Sequence, residues 1–237
     1  MMDKLDQIAD QIRQTFDTQT NARDQALAQA RLLTRNCSLA IRAVHRNELD
    51  VMENHLHEAD NLANALRSDL VLFPNLFFTG YTQDALKEYA EAHITCALIQ
   101  NKPLPAPEEI QVVHATYLKG LSEVVGELRR HCLDILRQGY SDEAERLLKL
   151  MDDIFAILVT MDYPDAITNG LRRQTDIARS IIERTRGDMT FSLRGEHLTQ
   201  AIAKLSQQLL SEENPPIVVP NIPYPLDDYE GTNDREP

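Results

Sequence analysis

Apolar positions recur at intervals of three and four along most of the chain, the period of helices that bury one face. Leu5, Ile8, Ile12 and Phe16 begin a stripe that resumes at Ala22, Ala26, Ala30, Leu33, Cys37, Ala40, Ile41 and Val44. It predicts either one long helix or two in series, with a break near Thr18–Thr20. After a polar joint at Asn47, Met52, Leu56, Ala59, Leu62, Leu66 and Leu70 mark a second helix. A loop with Pro74 and Gly80 leads to a third, from about Thr82 to Gln100. Pro103, Pro105 and Pro107 form a linker, with Pro107 suited to the first turn of a fourth helix that reaches Arg137 and is capped by Gly139. Ser141 can cap a fifth helix, which carries Asp142 and Glu143 at its positive end and stops before Pro164. A sixth runs from about Pro164 to Arg186 and is closed by Gly187; a seventh runs from Asp188 to Leu210. Seven long helices joined by short loops predict an all-α, antiparallel seven-helix bundle.

The 237 residues suffice for one large or two small domains. Eight glycines and no tryptophan are few for a fold rich in turns and strands. The net charge of −13 argues against a nucleic-acid binder at first sight, but it is unevenly spread. From Ser211 onward, seven acids stand against Arg235 alone, and six of the eleven prolines fall there. The expected organisation is a helical domain over residues 1–210 and an acidic, proline-rich, disordered tail over 211–237. Cys37, Cys96 and Cys132 lie apart in apolar helical stretches without CxxC spacing, as reduced core thiols do. The longest uncharged stretch, Leu70 to Gln83, is too short to cross a bilayer, and the N-terminus lacks the bases and apolar run of a signal peptide. Together these features imply a cytoplasmic protein without a membrane partner.

Two carboxylate pairs carry the candidate chemistry. Glu88 and Glu91 stand at i,i+3 on the third helix, and Glu123 and Glu127 at i,i+4 on the fourth, so each pair shares a helix face. Were the faces to meet, four acids would converge and raise one another's pKa unless a cation relieved them. Oxygen ligands suit Mg²⁺ or Mn²⁺ better than Zn²⁺. Spacing alone fits a solvated face equally, since paired glutamates are common on helices. The small residues beside the pairs (Ala90, Ala92, Gly126) argue against full exposure. A di-iron carboxylate bundle is excluded, because none of the seven histidines has Glu three residues before it. No Gly-x-Ser-x-Gly or Gly-rich phosphate loop is present, which leaves metal-activated water as the candidate nucleophile.

Arginine is concentrated in two segments. Arg31, Arg35, Arg42 and Arg46 recur on one broad face of the first helix with His45 beside them, and five arginines fall between Arg172 and Arg186. Arginine favours bidentate phosphate recognition. The second run also suits ion pairs with neighbouring helices or subunits.

The segment YPDAITNGLRRQTDIARSIIERTRGDMT (residues 163–190) resembles the signature of the translin superfamily, which comprises translin, its partner TRAX and single-gene prokaryotic members. The resemblance extends through IRAVHR (41–46), KEYAEA (87–92) and GLSEVVGELRR (120–130). It implies a seven-helix translin-like domain that assembles into closed, often octameric shells and binds single-stranded RNA or DNA. TRAX-type members are metal-dependent endoribonucleases with four interior acids. Carried over, Glu88, Glu91, Glu123 and Glu127 are the catalytic and metal-binding set, with Mg²⁺ or Mn²⁺ as cofactor. Glu123 stands where TRAX-type members carry aspartate, one methylene shorter. With the nucleic acid inside the shell, Arg35, Arg42, Arg46 and Arg130 are the expected phosphate contacts. Two alternatives remain open: a non-catalytic nucleic-acid-binding member, and a helical protein-interaction scaffold. Whether the acids hold one ion or two is open as well.

Overall fold

The computed structural model describes residues 2–211, and among these there is no strand. Eight helical elements follow in order: α1 (Met2–His45), α2 (Leu49–Asp69), α3 (Pro74–Phe77), α4 (Gly80–Ile99), α5 (His114–Leu136), α6 (Asp142–Thr160), α7 (Asp165–Thr168) and α8 (Leu171–Ser211). The chain forms two compact units, Met1–Glu196 and His197–Pro237. In the second unit, described residues 197–211 are helical and expose Leu198, Ile202, Leu205 and Leu209. The expected acidic tail lies outside the described residues from Glu212 onward.

In the first unit α1 packs on α2 and α4, α4 on α5, and α5 on α6. The stripe of α1 is buried from Ala26 to Val44, whereas Leu5, Ile8, Ile12 and Phe16 are exposed. No break occurs at Thr18: the hydroxyls of Thr15 and Thr18 donate to the carbonyls of Gln11 and Gln14 within an unbroken helix. α4 is the central helix, buried at Ala85, Leu86, Tyr89, Ala90, Ala92, Ile94 and Leu98, that is, on nearly every side. All three cysteines are free and buried.

Four boundaries differ from the sequence reading, each for a local reason. The loop at Pro74 contains a turn of helix with proline at its start, where its missing N–H costs nothing. Pro107 does not open the long helix. It sits in a turn whose Val112 N–H reaches the Pro107 carbonyl, and Gln111 at φ 52° breaks the path before α5 begins at His114. The helix expected from Pro164 is interrupted by Asn169 and Gly170, both left-handed at φ 51° and 81°. No break occurs at Gly187, because the buried stripe Leu171, Thr175, Ala178, Ile182, Thr185 and Met189 runs past it. The cap reading at Ser141 holds: its hydroxyl accepts from the Ala144 N–H.

Candidate active site

A glutamate on a central, almost wholly buried helix demands a physical account. Glu91 is 8 % exposed, one turn beyond Glu88 on α4. α5 crosses α4 at Gly120. A Cβ there would stand 2.9 Å from the Lys87 carbonyl oxygen, 3.0 Å from the Ala90 Cβ and 3.1 Å from the Glu91 nitrogen. Glycine therefore sets the closeness of the two helices, and Glu123, one turn further along α5, is brought against the pair on α4. One carboxylate oxygen from each of Glu88, Glu91 and Glu123 lies within 4.8 Å of the others.

The cluster includes a cation of its own. The Lys87 ammonium donates to Glu123 Oε2 and lies 2.9 Å from Glu88 Oε1. Burial opposes its charge, but the hydrogen bonds to Glu123 and Glu88 outweigh that and hold the ammonium well above the usual lysine range. Burial, reinforced by the charges of Glu88, Glu123 and Glu127, pushes Glu91 up to about 8. The proton that such a carboxyl keeps among carboxylates is what a hard divalent cation would replace. The donor set, all oxygen and strongly anionic, fits Mg²⁺ or Mn²⁺.

Glu127 lies beside this group rather than in it. The His45 ring, 2 % exposed, places Nε2 at 2.6 Å from Glu127 Oε2, and Arg130 NH1 stands 3.6 Å from the same atom. The hydrogen bond from His45, helped by Arg130, keeps the Glu127 carboxyl below its ordinary range despite burial. Glu127 thus stays ionised and adds to the field on Glu91.

Arg35, Arg42 and Arg46 are exposed and have no ion-pair partner among the described residues. With 3.6 residues per turn, Arg35 and Arg42 share the face of α1 opposite its buried stripe, and Arg46 follows in the turn just past the helix end; none of the three belongs to the carboxylate cluster. Arg31, one turn earlier, does approach it: it lines a cleft of about 370 Å³ with Thr34, Tyr81, Asp84 and Glu88. Arg130 is paired with Glu127 yet keeps about half its side chain exposed, at 53 %.

Sequence reasoning passed over Lys87, Gly120 and the grip of His45 on Glu127. The signals were present, a lysine adjoining Glu88 and a glycine one turn before Glu123, but the partners lie on other helices.

No family model matches the chain. It is 32 % identical to the uncharacterised Methanocaldococcus jannaschii protein MJ0175 over 194 residues, 79 % of this chain and 86 % of that protein. Among solved structures, AfC3PO in complex with duplex RNA superposes with a TM-score of 0.74 at 28 % identity, covering 79 % of this chain and 97 % of that one. AfC3PO alone gives 0.73 at 27 % identity, covering 79 % and 97 %. C3PO is the translin/TRAX assembly. The chain belongs to the translin superfamily. Apo-NeC3PO, at 19 % identity, TM-score 0.72 and coverage of 78 % and 96 %, shares the fold.

The translin-like signature after Leu171 lies on α8 and is built for packing. Arg129 donates to Thr185 and Asp188, Arg186 to Asp152, and Arg179 stacks over the Phe155 ring at 5.2 Å. In this translin-superfamily chain the most specific sequence motif therefore braces α8 against α5 and α6, while the candidate chemistry lies on α4 and α5.

Proposed function

We propose that this chain is a metal-dependent endoribonuclease that binds single-stranded RNA within a homo-oligomeric, octameric shell. The observation that carries the reading is Glu91: a carboxyl raised to about 8 by its own burial and by three neighbouring acids, a cost with no structural return unless a cation binds. Glu88, Glu91 and Glu123 would hold Mg²⁺ or Mn²⁺. Bound there, the ion supplies Lewis acidity to a phosphodiester oxygen and lowers the pKa of water. Glu91 would ligate the ion as a carboxylate, its proton passing to solvent water and the cation supplying the charge compensation that the proton otherwise gives. Glu127, fixed by His45, supplies a steady negative charge beside the cluster, and Arg130 offers its exposed side to a phosphate. Arg35, Arg42 and Arg46, without an ion-pair partner among the described residues, support phosphate binding along α1 and the turn that follows it. The duplex RNA bound by AfC3PO supports RNA as the ligand. The exposed stripe Leu5, Ile8, Ile12 and Phe16 supports self-association, which light scattering would measure as a mass near eight chains.

A second reading, a non-catalytic nucleic-acid binder, is favoured by one observation: Lys87 already engages two of the three clustered acids. End-labelled RNA incubated with Mg²⁺ or Mn²⁺, and separately with EDTA, decides between them. The expected result is cutting of single strands in preference to duplex, lost with EDTA and in Glu91→Gln, and kept in the surface control Glu183→Gln. RNA that is bound but left intact under every condition would establish the binder.

A further inference from the structure

Lysine normally keeps its ammonium in bulk water at the end of a flexible stem. Lys87 does not. Its side chain is only 13 % exposed, and Nζ bridges Glu88 on α4 and Glu123 on α5. Gly120 fixes the crossing of these helices against the Lys87 carbonyl itself, so the lysine backbone, the helix crossing and the two carboxylates form one rigid unit. The ammonium is a built-in monovalent cation of the cluster.

Charge balance then limits what else can bind. Glu88, Glu91 and Glu123, fully ionised, carry three negative charges, and Lys87 returns one. A single divalent ion brings the group to neutrality. A second would leave two uncompensated positive charges in a partly buried site, and Glu127 is already engaged by a hydrogen bond with His45 and an ion pair with Arg130. Two-metal centres hold their ions about 3.5–4 Å apart and need carboxylates to bridge them. The natural bridges between α4 and α5, Glu88 and Glu123, each already give an oxygen to Lys87.

We propose that Lys87 takes the place of a second metal ion, so that the site holds one divalent cation per chain and the ammonium provides the other positive charge facing the phosphodiester. This rests on the metal-dependent reading above.

The test counts ions. The purified full-length chain is titrated with Mn²⁺ by calorimetry, and the bound metal is examined by electron paramagnetic resonance. Wild type is expected to bind one Mn²⁺ per chain with a mononuclear signal. Lys87→Met is expected to bind two with an exchange-coupled signal, and Lys87→Arg to remain at one. Circular dichroism confirms that each variant is folded, and Lys87→Gln gives the same count should the methionine variant fail to fold. Two ions on wild type, or one on both wild type and a folded charge-removing variant, would overturn the role of Lys87 and leave the metal reading standing. Binding of no Mn²⁺ by wild type, or binding that Glu91→Gln does not weaken at least tenfold, would remove the metal reading and this inference with it.

Discussion

At the scale of a single residue, Glu91 makes the sharpest demand. In the metal-free protein its carboxyl is raised from 4.5 to about 8 by burial and by Glu88, Glu123 and Glu127. The unfolded chain loses that proton near the ordinary glutamate range, while the folded chain keeps it. Between about pH 4.5 and about pH 8 the native state therefore binds more protons, and stability falls as pH rises, levelling off above the folded value. The loss should amount to a few kcal/mol. Urea midpoints across this window, in EDTA, should slope downward for wild type and lie nearly flat for Glu91→Gln, since the difference between the two isolates this one group. Glu127 has the opposite sign. Held down by its hydrogen bond to His45, it contributes stability above the ordinary glutamate range that is lost as pH falls through its lower folded value. Two glutamates near one another on neighbouring helices thus pull stability in opposite directions, and the difference is the imidazole that only one of them touches.

At the scale of the helix, two glycines with similar surroundings in sequence do unlike things. Gly120 lies where α4 and α5 cross, and a methyl group there would meet backbone at 2.9 Å and 3.1 Å. Gly187 lies inside α8 with nothing within 4 Å of an added Cβ. Gly120→Ala should cost about 1–3 kcal/mol through forced separation of the helices and should weaken Mn²⁺ binding by moving Glu123 away from Glu91. Gly187→Ala should stabilise by about 0.5–1 kcal/mol through helix propensity and leave Mn²⁺ binding unchanged. Urea unfolding and metal titration of both variants check the pair. The contrast also marks what the sequence disclosed. Helix identity was legible because apolar residues repeat over many turns, as in the buried stripe of α8. Helix ends were less legible because they depend on single residues: Gly187 looked like a stop, while the real interruption was the left-handed Asn169–Gly170 pair. The carboxylate pairs were visible from i,i+3 and i,i+4 spacing. The diversion of Glu127 to His45, 82 residues earlier in the chain, and the capture of Glu88 and Glu123 by Lys87 were not, because a lysine or histidine on a helix reads as solvated until its partner helix is placed.

At the scale of the whole molecule, a net charge of −13 coexists with a row of arginines that no acid neutralises among the described residues. Most other bases in the first unit are committed: Arg129 to Asp188, Arg146 to Glu143, Arg186 to Asp152, Lys87 to the carboxylate cluster. Leaving Arg35 and Arg42 on one face of α1, and Arg46 in the turn that ends it, without an acid partner among the described residues of a chain with an excess of acids costs repulsion among them and returns nothing to the fold. A polyanion laid along that face would recover it. Each phosphate neutralised on a single strand contributes about −0.7 to the slope of log affinity against log salt. Replacing all three arginines by alanine should therefore reduce the magnitude of the slope by about 2, measured by fluorescence anisotropy with single-stranded RNA in EDTA over a KCl series. Mn²⁺ stoichiometry should not change, since none of the three lies in the carboxylate cluster. An unaltered slope would shift phosphate binding to Arg172, Arg173 and Arg184, exposed arginines of α8 that, unlike Arg179 and Arg186, are not engaged with Phe155 or Asp152, and would place the nucleic acid along the helix that carries the superfamily signature instead of along α1.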